Sequence, residues 1–282
     1  MPNLLLFQAY TSQQVAGCRY FLLKYLAIYN LKPPAQTTVV IYTNEPEAFE
    51  GFTNFFPHFQ MPELLWDTSV QALTKTRLLQ QTFLQTGGNV LYCDAATYPL
   101  QPLESVFADI EKGAVYLHAP QRHNESELQS ALGKNAALRD KTATAVAAPQ
   151  SRITVWDTAV VGINKHHNQQ LQTLLQKEEA APNKLATDYA YTTVLSETGK
   201  LKSAAKFIFD YSAFKEFNQL LETFFIKTEE ESIPNQVKAV HHLDAAAIQQ
   251  QKEVFQQQPL FKKWLQIISG KRWNIQQYAA KL

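Results

Sequence analysis

Gly87-Gly88-Asn89-Val90-Leu91-Tyr92-Cys93-Asp94-Ala95-Ala96-Thr97-Tyr98-Pro99 is the stretch whose reading decides the fold. The two glycines suit a helix stop, since Gly enters the left-handed region without a Cβ penalty. The apolar run Asn89 to Cys93 then reads as a buried strand, and it empties into Asp94. A carboxylate so placed can grip a ribose hydroxyl pair or a divalent cation bridging phosphates. It can also do no more than cap the next helix.

Upstream, apolar spacing predicts a helix from about Ser69 to Gln85, and Thr37 to Thr43 (TTVVIYT) reads as a buried strand rich in β-branched residues. Leu4 to Ala9 is the first strand. Ser12 can cap a helix through Tyr29, which Lys32-Pro33-Pro34 ends. Downstream, Leu103 to Ile110 is helical, Ala114 to Ala119 a strand, and Arg152 to Asn164 a strand pair or one bent strand. Helices follow at His166 to Glu179 and Asn183 to Glu197, then a strand at Ala204 to Asp210. The last forty residues are mostly helical, with a candidate strand near Val237 to Val240. Short strands alternating with longer helices give an α/β chain with a mixed, mostly parallel central sheet flanked by helices.

Bulk properties exclude several functions. The 282 residues carry 26 Lys plus Arg against 25 Asp plus Glu, a net charge of +1. Such a balance offers no overall field to recruit nucleic acid or anionic lipid, and nucleic acid is not expected as a partner. No apolar run reaches the roughly 18 residues of a membrane span, so no transmembrane segment is expected. Cys18 and Cys93 lie apart in apolar stretches and read as small buried hydrophobes, in a reduced, cytoplasmic setting. There is no G-x-S-x-G elbow, P-loop or dinucleotide fingerprint.

In open parallel sheets, ligands bind beyond the carboxyl ends of the strands, where strand order reverses. Three strand ends carry polar residues there: Tyr42-Thr43-Asn44, Asp94, and Asp210-Tyr211. Pattern alone therefore predicts an edge cleft lined by acids and hydroxyls.

The ordered blocks Lys75-Thr76-Arg77, GGNVLYCDAAT, WDTAVVGIN, ATDYAYTTVL and DYSAFK resemble the GT-A-fold nucleotide-diphospho-sugar transferases, glycogenin- and galactosyltransferase-like members in particular. The resemblance spans about Leu4 to Lys215. It implies a single domain over residues 1–282. Within it, 1–120 would be a nucleotide-binding half, 121–150 a flexible insertion, 151–240 an acceptor-side half and 241–282 a helical tail. It also implies transfer of a sugar from a nucleotide-diphosphate donor, a UDP-sugar first, to a glycan, lipid or protein acceptor. Tyr42, Thr43 and Asn44 resemble the base-contacting segment. Lys75 and Arg77 resemble basic residues near the donor, and Lys215 one that reaches the pyrophosphate. Asp94-Ala95-Ala96 stands where the family has Asp-x-Asp, whose acids meet the ribose and a Mn²⁺ or Mg²⁺ ion. Asp157, in the turn Trp156 to Ala159, and Asp188 resemble acids facing acceptor and sugar, and are the candidate catalytic residues.

The departures bear on the chemistry. Ala96 replaces the second Asp, and Asp210 stands where relatives place a metal-ligating His. An Asp94 and Asp210 pair could hold Mn²⁺ or Mg²⁺, since hard oxygens suit both ions. Alternatively the metal is lost, and Lys75, Arg77 and Lys215 offset the diphosphate charge. A catalytically degenerate nucleotide-sugar or glycan-binding protein of the same fold is the second reading.

Overall fold

The computed structural model describes residues 2–62, 74–133, 152–268 and 273–279. In chain order the first half comprises β1 (Asn3–Ala9), α1 (Ser12–Ile28), β2 (Thr37–Thr43), β3 (His58–Gln60), α2 (Lys75–Gln85), β4 (Asn89–Cys93), β5 (Thr97–Pro99), α3 (Glu104–Glu111) and β6 (Val115–Leu117). Then come β7 (Pro120–His123), α4 (Glu125–Leu132), β8 (Ile153–Trp156), β9 (Val160–Asn164), α5 (Asn168–Glu179), α6 (Lys184–Ser196), β10 (Leu201–Ser203) and β11 (Ile208–Asp210). Five helices finish the described chain: α7 (Lys215–Lys227), α8 (Ile233–Ala239), α9 (Ala245–Gln257), α10 (Leu260–Ile268) and α11 (Gln276–Ala279).

The central sheet has seven strands in the order β10-β6-β9-β4-β1-β2-β3. β1 pairs in parallel with β2 and with β4, while β9 runs antiparallel to both β4 and β6. The sheet is therefore mixed and mostly parallel, with helices on both faces and a helical C-terminal segment, as the sequence predicts. Alternation along the strands splits the core in two. Leu5, Phe7, Leu91 and Cys93 face the cluster built on α1 and α7, and Leu4, Leu6, Val90 and Tyr92 face the one built on α2, α5 and α6. Each fully buried Leu or Phe contributes roughly 1.5–3 kcal/mol, so the strands carrying the site edge are held from both sides. Both cysteines are free and buried, and burial pushes their thiols up.

Several boundaries differ from the sequence reading. Thr11, rather than Ser12, caps α1. Its hydroxyl accepts from Gln14 N, and the Gln14 side chain accepts back from Thr11 N at 3.1 Å, which closes a capping box. α2 starts at Lys75 under a Thr74 cap, and residues 69–73 of the expected helix lie outside the described residues. The expected strand Ala204 to Asp210 is shorter. Phe207 N turns back on Ala204 O at 2.8 Å, leaving β11 to pair with β5, while β10 precedes it. Val237 to Val240 is helical rather than extended. Pro234 sits in the first turn of α8, and Val237 and Val240 are buried on one side at helical spacing. Arg152 to Asn164 forms two strands in different sheets. Of the segment 121–150, β7 and α4 are described, and 134–150 lies outside the described residues.

Candidate active site

The strand order places β1 between β2 on one side and β4 on the other, which is the switch point at which α/β sheets bind ligands. A cleft of ≈ 430 Å³ opens there. Gln8 of β1 and the Asp94-Ala95-Ala96 turn after β4 form its floor, and Lys75, Thr158, Lys184 and Tyr211 stand around it. Lys75 and Lys184 are the first residues of α2 and α6, and both bring their side chains to the cleft. The N-terminal amide of Thr76 on α2 is already taken by Glu178 Oε2 at 3.1 Å, and Glu178 also lines the cleft.

The Asp94 turn is fixed by its backbone. Asp94 N donates to Ala159 O at 2.8 Å, Thr97 Oγ1 to Asp94 O at 2.7 Å, and Tyr211 N to Ala96 O at 2.9 Å. Tyr211 Oη donates to Ala95 O at 3.1 Å. Gly17 of α1 lies against the same carbonyl, and a Cβ there would stand 2.1 Å from Ala95 O. The turn is thus clamped between α1, β9 and Tyr211.

Lys75 crosses the cleft mouth. Its Nζ lies 3.4 Å from Asp94 Oδ1, donates to Thr158 O, and lies 3.3 Å from Thr158 Oγ1. It also sits 4.8 Å above the Tyr92 ring, a cation–π contact. On the far side, Asp188 accepts from Thr158 N at 3.2 Å and Thr158 Oγ1 at 2.6 Å. Lys184 Nζ meets Asp157 Oδ2 at 2.7 Å and Asp188 Oδ2 at 3.4 Å. Burial pushes the Asp188 carboxyl above its ordinary value, more than its Thr158 and Lys184 contacts offset. Burial pushes Asp157 the same way, but hydrogen bonds from Lys184 and the Ala159 amide, with the Lys184 charge, hold it below.

These placements sort the residues expected from the sequence. Lys75, Asp94, Asp157 and Asp188 belong to one connected polar network, joined by Thr158 and Lys184. Tyr42 is buried, its hydroxyl 3.4 Å from Thr82 Oγ1, and Thr43 Oγ1 accepts from Glu45 N. Asn44 is exposed. Arg77 pairs with Glu179 on the surface, and Lys215, the first residue of α7, is exposed. None of these five lines the cleft described.

Asp210 gathers elsewhere. Among the described residues, His118, Asp157 and Asp210 offer ligand atoms within 4.8 Å of one another and could hold a metal ion. Asp94 instead faces Lys75. At the motif position the donor set does not fit a divalent cation. One carboxylate remains, an ammonium is already against it, and Ala96 has no side-chain oxygen while its carbonyl accepts from Tyr211 N. The His/Asp/Asp group has the mixed N/O donors that Mn²⁺ accepts, although Asp157 Oδ2 also takes hydrogen bonds from Lys184 and Gln121.

Three site residues escape a sequence reading. His118 follows β6 with no motif around it. Thr158 stands in the turn Trp156 to Ala159, in which the sequence singles out only Asp157. Lys184 shows in sequence only as an i, i+4 partner of Asp188, the spacing of a routine surface pair. That pair exists, yet Asp188 is buried and the lysine bridges to Asp157.

No protein-family model matches the chain, and no curated protein sequence does. Its structure is similar to several solved glycosyltransferases. One is the galactosyltransferase LgtC in complex with donor and acceptor sugar analogs (9% identity, 71% of this chain and 73% of that one, TM-score 0.43). Another is mouse xyloside xylosyltransferase 1 (10% identity, 72% and 85%, TM-score 0.44). A third is glycosyltransferase GlyE of Streptococcus pneumoniae TIGR4 (11% identity, 72% and 46%, TM-score 0.42).

Proposed function

We propose that this chain is a glycosyltransferase that takes a sugar from a nucleotide-diphosphate donor, a UDP-sugar first, held in the cleft between β1 and β4. The observation that carries the reading is the meeting of Lys75, Asp94, Thr158 and Lys184 on one cleft at the switch point. Two ammonium groups on that cleft are cations a diphosphate can pair with, beside a carboxylate that can take a ribose hydroxyl.

In this reading Asp94 accepts from a ribose hydroxyl. Lys75 and Lys184 lie against the diphosphate and offset the negative charge that grows on it as the glycosidic bond breaks. Charge stabilisation of that kind, by groups already in place, is the largest catalytic contribution such a site can make. Asp188 holds Thr158, and Asp157 and Asp188 together hold Lys184. A divalent ion, if one takes part, would have His118, Asp157 and Asp210 as its ligands and would supply Lewis-acid chemistry there.

Calorimetry against UDP-, GDP- and CDP-sugars, with Mn²⁺ and with chelator, tests the reading. Binding of one donor class, weakened by Lys75→Ala and by Lys184→Ala, is the expected result. Absence of binding to all three, with and without metal, overturns it.

A further inference from the structure

The net charge of +1 conceals a segregation. From Ala245 onward the chain carries Lys252, Lys262, Lys263, Lys271, Arg272 and Lys281 against one acid, Glu253. That segment is +5, which leaves −4 for everything before it. The same region exposes apolar side chains. Leu260 is 82% exposed, Phe261 68% and Trp264 56%, and Val254 on the preceding helix is 56% exposed. Exposed apolar residues scattered singly need no explanation, but a contiguous set does.

Geometry joins the two features on α10. At 3.6 residues per turn, Leu260, Trp264 and Phe261 fall within an arc of about 100°, with Lys263 on one flank and Lys262 on the other. The Phe261 and Trp264 rings stack at 6.3 Å and 26° in the open. Lys262 is exposed, while Lys263 donates to Gln256 O and so ties α10 to the end of α9. The apolar stripe is thereby held outward rather than folded back. Nine residues rise only about 14 Å, far short of a span, and no described helix is long and apolar enough to cross a membrane.

We propose that α10 is an interfacial helix that docks the protein on an anionic lipid surface, with Leu260, Phe261 and Trp264 entering the headgroup boundary and Lys262 and Lys263 lying toward the phosphates. A basic helix with a Trp- and Leu-bearing stripe has the composition of one that lies in the plane of a bilayer. Trp is enriched at that boundary because its ring is apolar and its N–H polar. Charge complementarity selects the occupant. Lys252 is paired with Glu216, so Lys262 and Lys263 are the cations α10 itself presents. They would meet their like in a second copy, whereas each Lys near an anionic leaflet contributes about 1 kcal/mol. Nucleic acid would meet a cationic edge but an apolar centre. The inference stands independently of the donor reading, because none of the α10 side chains among the described residues lines the cleft.

Flotation of the full chain with vesicles of phosphatidylcholine mixed with phosphatidylglycerol, against phosphatidylcholine alone, tests the proposal. The protein is expected to float with the mixed vesicles, to leave them at high salt, and to show a blue-shifted tryptophan emission on binding. Phe261→Gln with Trp264→Gln should abolish flotation while leaving circular dichroism and Tm unchanged, since both side chains are exposed. Lys262→Glu should weaken binding more than fivefold, the ~1 kcal/mol of one cation plus the repulsion of the new acid. Failure of the parent protein to float overturns the proposal, as does equal binding to both vesicle types. So does sedimentation showing a dimer that the Phe261/Trp264 double variant dissolves.

Discussion

Lys75 Nζ and Asp94 Oδ1 face each other at 3.4 Å across the mouth of the cleft, one at the start of α2 and the other at the end of β4. The pair places an ammonium beside the acid that in sequence resembles the first of an Asp-x-Asp motif, with Ala96 where the second would stand. Under the proposed function, Lys75 is the cation that the chain itself offers a diphosphate.

Removing that cation should therefore act on donor binding and not on the fold. Lys75→Ala is expected to weaken UDP binding by roughly 10- to 100-fold, the 1.5–3 kcal/mol typical of a hydrogen bond to a charged group. Asp94 is a third exposed and stays hydrated. Calorimetry reads the affinity and a melting curve reads the fold. Unchanged affinity would remove Lys75 from the site.

Gly17 offers a sharper structural test. Its missing Cβ is what lets α1 rest on the Ala95 carbonyl, since an added methyl would stand 2.1 Å from that oxygen. Gly17→Ala should push the Asp94 turn away from α1, at a cost of about 1–3 kcal/mol from overpacking. Lowered Tm together with lost nucleotide binding is expected. A variant that keeps both would show that the turn has room to spare.

How far the sequence foretold this arrangement follows from range. β1, β2 and β4 were legible because strands buried on both faces are continuous apolar runs with sharp polar ends. Asp94 was legible for the same reason. Val237 to Val240 misled because two valines three apart suit a strand as well as one side of a helix, and Pro234 decided it. Lys184 was half legible. Its spacing to Asp188 is visible, but burial of Asp188 and the reach to Asp157 depend on where α6 packs against β8. His118 and Asp157 meet Asp210 only because strands from separate sheets end at one point, and pairing of that range leaves no mark in local pattern.

Asp157 and Asp188 should give opposite pH behaviour. Asp157 titrates below its ordinary value in the fold, so its stabilising contribution is present at neutral pH. That contribution is lost as pH falls through the ordinary carboxyl value and on through the folded one. Asp188 titrates above its ordinary value, so its charged form costs stability at neutral pH. The cost is relieved as pH falls through the raised value. Asp157→Asn is expected to lower Tm at pH 7 and to flatten the acid limb of Tm against pH. Asp188→Asn, whose amide oxygen can still accept from Thr158, should leave Tm at pH 7 equal or higher. A clear drop in Tm at pH 7 for Asp188→Asn would contradict the assignment.

The last prediction separates the cations of the cleft from those around it. Arg77 and Lys215 resemble donor-binding residues in sequence, yet Arg77 pairs with Glu179 at the surface and Lys215 is exposed at the start of α7. Lys184, which sequence presents as one half of a surface pair, holds two carboxylates beside the cleft. A surface ion pair contributes about 0–1 kcal/mol, so Arg77→Ala should leave Tm and UDP affinity within a few-fold of the parent. Lys184→Ala removes a cation from the cleft and leaves Asp157 and Asp188 facing each other uncompensated. Repulsion between them should then raise the Asp188 carboxyl further. The expected result is loss of donor affinity of at least tenfold, with a pH dependence that moves toward neutrality because protonating Asp188 relieves the repulsion. Lys184→Arg, keeping the charge but not the point geometry, should restore the pH profile more fully than the affinity. If Arg77→Ala proves as damaging as Lys184→Ala, the diphosphate lies further toward α2 than the cleft geometry assigns.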